Sequence, residues 1–186
     1  PDWIERSRSK GHEVVLTLSA PPIGHGRQDT GPMAILSSLD PKENLERLDW
    51  APDRATGFVG VVDIVGNRPA AETDEIVARL RQRGLMLVSG TAVPGVPATM
   101  PMATSDIVLS PSLSRRQLEQ KLAELQAEAN RDGHAVGIAI VNRTLLHYLA
   151  GWLTGLGQQS IALTPATAMI ATGGGTGAGI AKAAEE

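Results

Sequence analysis

The chain has 186 residues, enough for one domain with a sizeable core; 42% are hydrophobic, 20% are charged, and the formal net charge is −3. No basic run supplies the electrostatic footprint of a nucleic-acid binder, and no stretch approaches the ~18 continuous apolar residues of a membrane span. The absence of cysteine excludes disulfides, thiolate metal sites and cysteine nucleophiles together, and the scarcity of aromatic residues leaves the core to aliphatic side chains.

Residues 2–10 read as a polar helix stopped by Gly11, and residues 13–18, Glu-Val-Val-Leu-Thr-Leu, as a β-branched-rich strand. From Ser19 to Ser38 proline and glycine recur without a period, which predicts a long loop of the kind that closes over a site. Asp40-Pro41 supplies an N-cap and a first-turn proline for a helix running to about Trp50, with Leu45 and Leu48 inward. A Gly- and Val-rich strand at 57–65 precedes a helix at about 71–83, whose Ile76, Val77 and Leu80 fit the helical period and whose end is capped by Gly84.

Leu85 to Val88 reads as a buried strand, residues 92–103 as irregular because of their prolines, and Ile107 to Leu109 as a short strand preceded by Asp106. The segment 113–132 is the clearest helix: Leu113, Leu118, Leu122 and Leu125 form an apolar stripe opposite a charged face. A strand at 136–141, a helix at about 144–156 and a strand at 161–163 follow. Residues 171–186 read as a Gly/Ala-rich flexible tail. The Gly175–Gly179 stretch lacks the strand before it and the βαβ unit after it that a dinucleotide site needs. Apolar strands alternating with amphipathic helices predict a parallel sheet covered on its outside, as a barrel or an open doubly wound sheet.

Such folds carry their chemistry at the C-terminal ends of the strands. Those positions hold Thr17, Ser19 and Ala20; Asp63, Gly66 and Asn67; Ser89, Gly90 and Thr91; Ser110; and Asn142 and Arg143. Asp63 is the sole carboxylate among them, and none is a histidine. His12 and His134 stand before strands, at the wrong end, and His147 is on a helix; His25, in the long loop, is the histidine placed to swing toward the strand ends. Asn142-Arg143-Thr144 matches a glycosylation triplet, a pattern common by chance.

The stretch Gly11-His12-Glu13-Val14-Val15-Leu16-Thr17-Leu18 resembles the divergent polysaccharide deacetylases of bacteria, in which Gly-His-Glu-Val leads into His-Leu-Pro-Met. The resemblance continues through Gly31-Pro32, Asn44-Leu45, Val59-Gly60-Val61, Arg83-Gly84-Leu85, Ile138-Ala139-Ile140 and Leu163-Thr164-Pro165-Ala166-Thr167-Ala168. Departures fall where the family's chemistry lies. Its histidines are replaced by Thr17, Ile64 and Asn142, and its aspartates by Ser89 and Ser110; a further aspartate pair would lie upstream of Pro1. The resemblance implies metal-assisted deacetylation by Asp and His ligands, yet Thr, Ser and Asn do not titrate near neutral pH and Ile64 has no lone pair.

The expectation is therefore an α/β fold, a distorted and incomplete (β/α) barrel of the polysaccharide deacetylase type, over residues 1–170, with its first strand upstream and 171–186 as the tail. Pro1-Asp2-Trp3, with neither initiator Met nor signal pattern, reads as a cut from a longer precursor. The expected function is a non-catalytic domain binding a cell-envelope glycan or protein partner through Thr17, Asp63, Asn67, Ser89, Ser110 and Asn142, with no cofactor. The resemblance implies a periplasmic or envelope location. One alternative is an active carbohydrate deacetylase holding a divalent metal such as zinc through Asp63, His25 and upstream aspartates. Another is a regulatory partner of cell-wall enzymes.

Overall fold

Short β-branched runs alternate with amphipathic stretches, and the computed structural model folds them into strands and helices in that order. It describes residues 2–18, 35, 39–50, 53–63, 70–93, 95–171 and 180–182. The chain divides into two compact units, Pro1–Ala103 and Thr104–Glu186.

The first unit contains α1 (Asp2–Arg8), β1 (Val15–Leu18), α2 (Pro41–Trp50), β2 (Gly60–Asp63), α3 (Ala70–Gln82), β3 (Met86–Ser89) and β4 (Met102–Thr104), whose last residue crosses the boundary. The sheet order is β1-β2-β3-β4. Strands β1, β2 and β3 run parallel, with Leu16, Val61 and Leu87 abreast and Leu18, Asp63 and Ser89 abreast at the C-terminal edge. Side chains abreast share a face and the next rung points the other way. Leu18, Val61 and Leu87 accordingly join one buried cluster with Leu48 of α2 and Ile76, Val77 and Leu80 of α3.

Gly60 in β2 is required by close approach, because a Cβ there would overlap the carbonyl and side chain of Met86 on β3. Helix α3 ends as its sequence predicts, with Gly84 at φ 65°. Its Arg79, and Arg83 just past its end, pair with Asp49 of α2 at 2.7 and 3.0 Å, and Arg83 also with Asp53 at 2.9 Å, tying α3 to α2 and the turn after it.

The second unit contains β5 (Ile107–Leu109), α4 (Arg115–Asp132), β6 (Gly137–Ala139), α5 (Arg143–Leu156), a 3-10 turn at Gly157–Gln159, β7 (Ile161–Leu163), α6 (Ala166–Ala171) and β8 (Ile180–Lys182). Strands β5 and β6 pair in parallel, and β7 and β8 antiparallel. Ser114 caps α4 in a reciprocal box with Gln117, and Gly133 closes it at φ 80°. The stripe Leu118, Leu122, Leu125 and Ala129 buries against Ile107 and Leu109 of β5, Leu145 and Leu156 of α5 and Ile161 of β7. Asp106 begins the β5–β6 ladder: its Oδ2 accepts the Val136 N–H at 2.7 Å, and its own N–H donates to the Val136 carbonyl at 2.9 Å.

Three differences from the sequence reading have local causes. Within the supposedly irregular 92–103, β4 begins directly after Pro101, which lacks an N–H but accepts the Leu87 N–H through its carbonyl at 2.9 Å. Helix α6 follows Pro165, whose carbonyl accepts the Ala168 N–H at 3.1 Å. Within the expected tail, Ala171 closes α6 and Ile180–Lys182 pairs along β7. Most of the expected 19–38 loop lies outside the described residues; Ile35 is described and buried.

Candidate functional site

In the first unit the candidate positions meet at the C-terminal edge of the parallel sheet. Asp63 ends β2 and Ser89 ends β3, in register and on the helix-covered face; Asp63 is 9% exposed and Ser89 0%. The Gly90 N–H donates to the Asp63 carbonyl at 2.8 Å, extending the ladder one residue past Ser89. Ser89 Oγ donates to the Thr91 carbonyl at 2.7 Å and accepts the Thr91 N–H at 3.4 Å, so its proton is committed to the turn that leaves the strand.

Thr17 does not join this pair. It stands abreast of Val62 and Val88, one rung back, and the pleat points it to the opposite face from Leu18, Asp63 and Ser89. Its side chain is exposed. Asn67, Ile64, Ser19, Ala20, Gly66 and His25 lie outside the described residues.

The second unit has its own strand ends. Ser110 follows β5, where Ser110 Oγ and Ser112 Oγ are 2.8 Å apart and the Ser112 N–H donates to Ser110 Oγ at 3.3 Å. Beyond β6, Asn142 is the N-cap of α5: its Oδ1 accepts the Leu145 N–H at 2.8 Å, with its backbone extended at φ −113° and ψ 179°.

One polar residue was missed as a site candidate. Asn44 in the first turn of α2 is 1% exposed and, with Asp63 and Ser89, makes up the buried polar residues among those described. Asn44 and Asp63 both have polar or electrostatic partners. Burial of its amide one turn before the apolar Leu48 is the structural feature that singles Asn44 out.

Displaced pKa values among the described residues fall on groups of the helices and their ends. Hydrogen bonding from Arg115, then from Tyr148, holds Glu119 below the usual carboxylate range. Desolvation, then the bond to Glu119, raises Tyr148. Asp132 is lowered chiefly by its bond to Arg131. His12 and His147 are exposed, and His134 Nδ1 lies 3.2 Å from the Asp132 carbonyl.

A hydrolytic divalent ion needs convergent imidazole or carboxylate donors. Among the described residues no three His, Asp or Glu side chains converge. The oxygens of Ser89, Ser110 and Asn142 are already bound to their own loops. The described side chains at these strand ends do not by themselves supply the donors such an ion needs.

A family model described as divergent polysaccharide deacetylase matches residues 1–170. Among solved structures, an uncharacterized protein from Agrobacterium tumefaciens C58 superposes with a TM-score of 0.74 at 24% identity, over 90% of this chain and 72% of that one. At that identity the likeness speaks to the fold. No curated protein matches the chain.

Proposed function

The chain belongs to the divergent polysaccharide deacetylase family, and from that membership we propose that it is a non-catalytic member that binds an envelope glycan. The observation that carries this reading is the state of the strand-end oxygens. Ser89, Ser110 and Asn142 stand where the family resemblance expects metal or proton-transfer groups, and each accepts a backbone N–H from two or three residues on. Asp63 is the one carboxylate at those positions, and a lone carboxylate holds a divalent ion weakly.

The family's substrate class makes a glycan the natural ligand, and exposed Thr17 offers a hydroxyl for it. No cofactor is required for such binding. The same membership supports an envelope location. No helix among the described residues is long and apolar enough to cross a membrane.

Two measurements test the proposal. Metal analysis of the purified protein is expected to find no stoichiometric zinc, and calorimetry with N-acetylated chitooligosaccharides is expected to show binding without release of acetate. Acetate release abolished by Asp63→Ala would instead establish an active hydrolase. Absence of any glycan binding, with a protein captured in its place, would favour the regulatory reading.

A further inference from the structure

Ser89, Ser110 and Asn142 belong to three different strand-end loops, yet their side chains make one kind of bond. Ser89 Oγ accepts from Thr91 N at 3.4 Å, Ser110 Oγ from Ser112 N at 3.3 Å, and Asn142 Oδ1 from Leu145 N at 2.8 Å. Each closes a turn at i+2 or i+3, the local side-chain-to-backbone pattern by which Ser and Asn start turns and cap helices. We infer that these positions are loop-closing residues, whose side-chain oxygens serve to hold the strand-end backbone in place of the ligand-binding groups the family pattern puts there. The inference rests on the proposed non-catalytic reading and deepens it: the groups that replace the family's ligands have a structural role in their own loops.

The chemistry differs at each position. Ser89 is both donor and acceptor, and its donation to the Thr91 carbonyl at 2.7 Å is lost to an ionised carboxylate, which would sit fully buried against that carbonyl. Ser110 shares a hydroxyl–hydroxyl contact with Ser112 and accepts its N–H, and an aspartate there can accept from both Ser112 groups, so this turn tolerates an acidic side chain. Asn142 has the short planar acceptor that an N-cap needs. Aspartate reproduces it, whereas histidine is not among the preferred caps and alanine has no acceptor.

Full-length chains carrying Asn142→Ala, Asn142→His and Asn142→Asp distinguish the readings by denaturation and amide exchange. Asn142→Ala and Asn142→His are expected to lower the folding equilibrium constant about fivefold, ~1 kcal/mol, with Asn142→Asp close to the parent. The Leu145 amide is expected to lose protection in the first two variants while the Leu122 amide keeps it.

The combined chain S89D/S110D/N142H is expected to bind no zinc at one equivalent. Asn142→His at parental stability with Leu145 still protected, or stoichiometric zinc in the combined chain, would overturn the inference. Zinc bound by the unaltered chain is a separate result: it refutes the proposed function and leaves the loop bonds to be judged by the Asn142 series.

Discussion

Replacing Gly60 with alanine should be among the most damaging single-methyl changes in this chain. Gly60 lies on β2 between β1 and β3, abreast of Val15 and Met86, and is buried. An added Cβ would overlap the Met86 carbonyl oxygen and side-chain Cγ and lie 2.9 Å from the carbonyl carbon. A flexible side chain can turn away; a strand carbonyl cannot. Relief requires β3 to move from β2, which stretches the Met86 N–H bond to the Val59 carbonyl, 3.1 Å in the folded chain.

Overpacking of this kind costs about 1–3 kcal/mol, and one weakened ladder bond adds ~1 kcal/mol. The sum, about 2–4 kcal/mol, is a large share of the 5–15 kcal/mol typical of domains and lowers the folding constant at least ~25-fold. Urea unfolding followed by far-ultraviolet circular dichroism measures it. Gly151, on α5 with open space around its Cβ position, provides the opposite case: Gly151→Ala should stabilise by about 0.5–1 kcal/mol through helix propensity. A Gly60→Ala loss below ~0.5 kcal/mol would refute the reasoning from close approach.

Ser114→Ala removes the side-chain half of the α4 capping box, leaving the backbone N–H of residue 114 to donate to Gln117 Oε1, and should cost about 1 kcal/mol in the same assay. Asp49→Ala releases Arg79 and Arg83, whose side chains are 36% and 30% exposed; the loss should be no more than ~1 kcal/mol and should shrink in 1 M salt. Glu119, depressed by Arg115 and Tyr148, contributes stability that is present above the unfolded carboxylate pKa and lost as pH falls through its folded value. Its carboxyl carbon shift, followed by NMR titration, should therefore have a midpoint below the ordinary glutamate value, and Arg115→Ala should move that midpoint upward.

How much was legible depended on whether a residue's role is local. Helix α4 was readable because its leucines recur at the helical period and its caps are adjacent in sequence, so the burial of Leu118, Leu122 and Leu125 followed directly. Helices α2 and α3 were readable from Pro41 at the first position and Gly84 past the end. Strand β4 was hidden because proline argues against a strand interior, whereas Pro101 needed only its carbonyl to meet Leu87. Asn44 was hidden for a different reason: its residue type is ordinary for a helix surface, and only packing buries it.

The candidate site divides along the same line. From sequence alone come the strand-end positions, the replacement of histidine and aspartate by neutral groups, and the isolation of Asp63 as a carboxylate, because residue identity bounds what chemistry a position can perform. Tertiary structure alone decided that Asp63 and Ser89 share a face while Thr17 points to the other, since a one-rung difference in parallel register is invisible until strands pair. It likewise decided that the neutral replacements bond locally: the oxygens of Ser89, Ser110 and Asn142 accept from their own backbone because the turns fold back within hydrogen-bond reach.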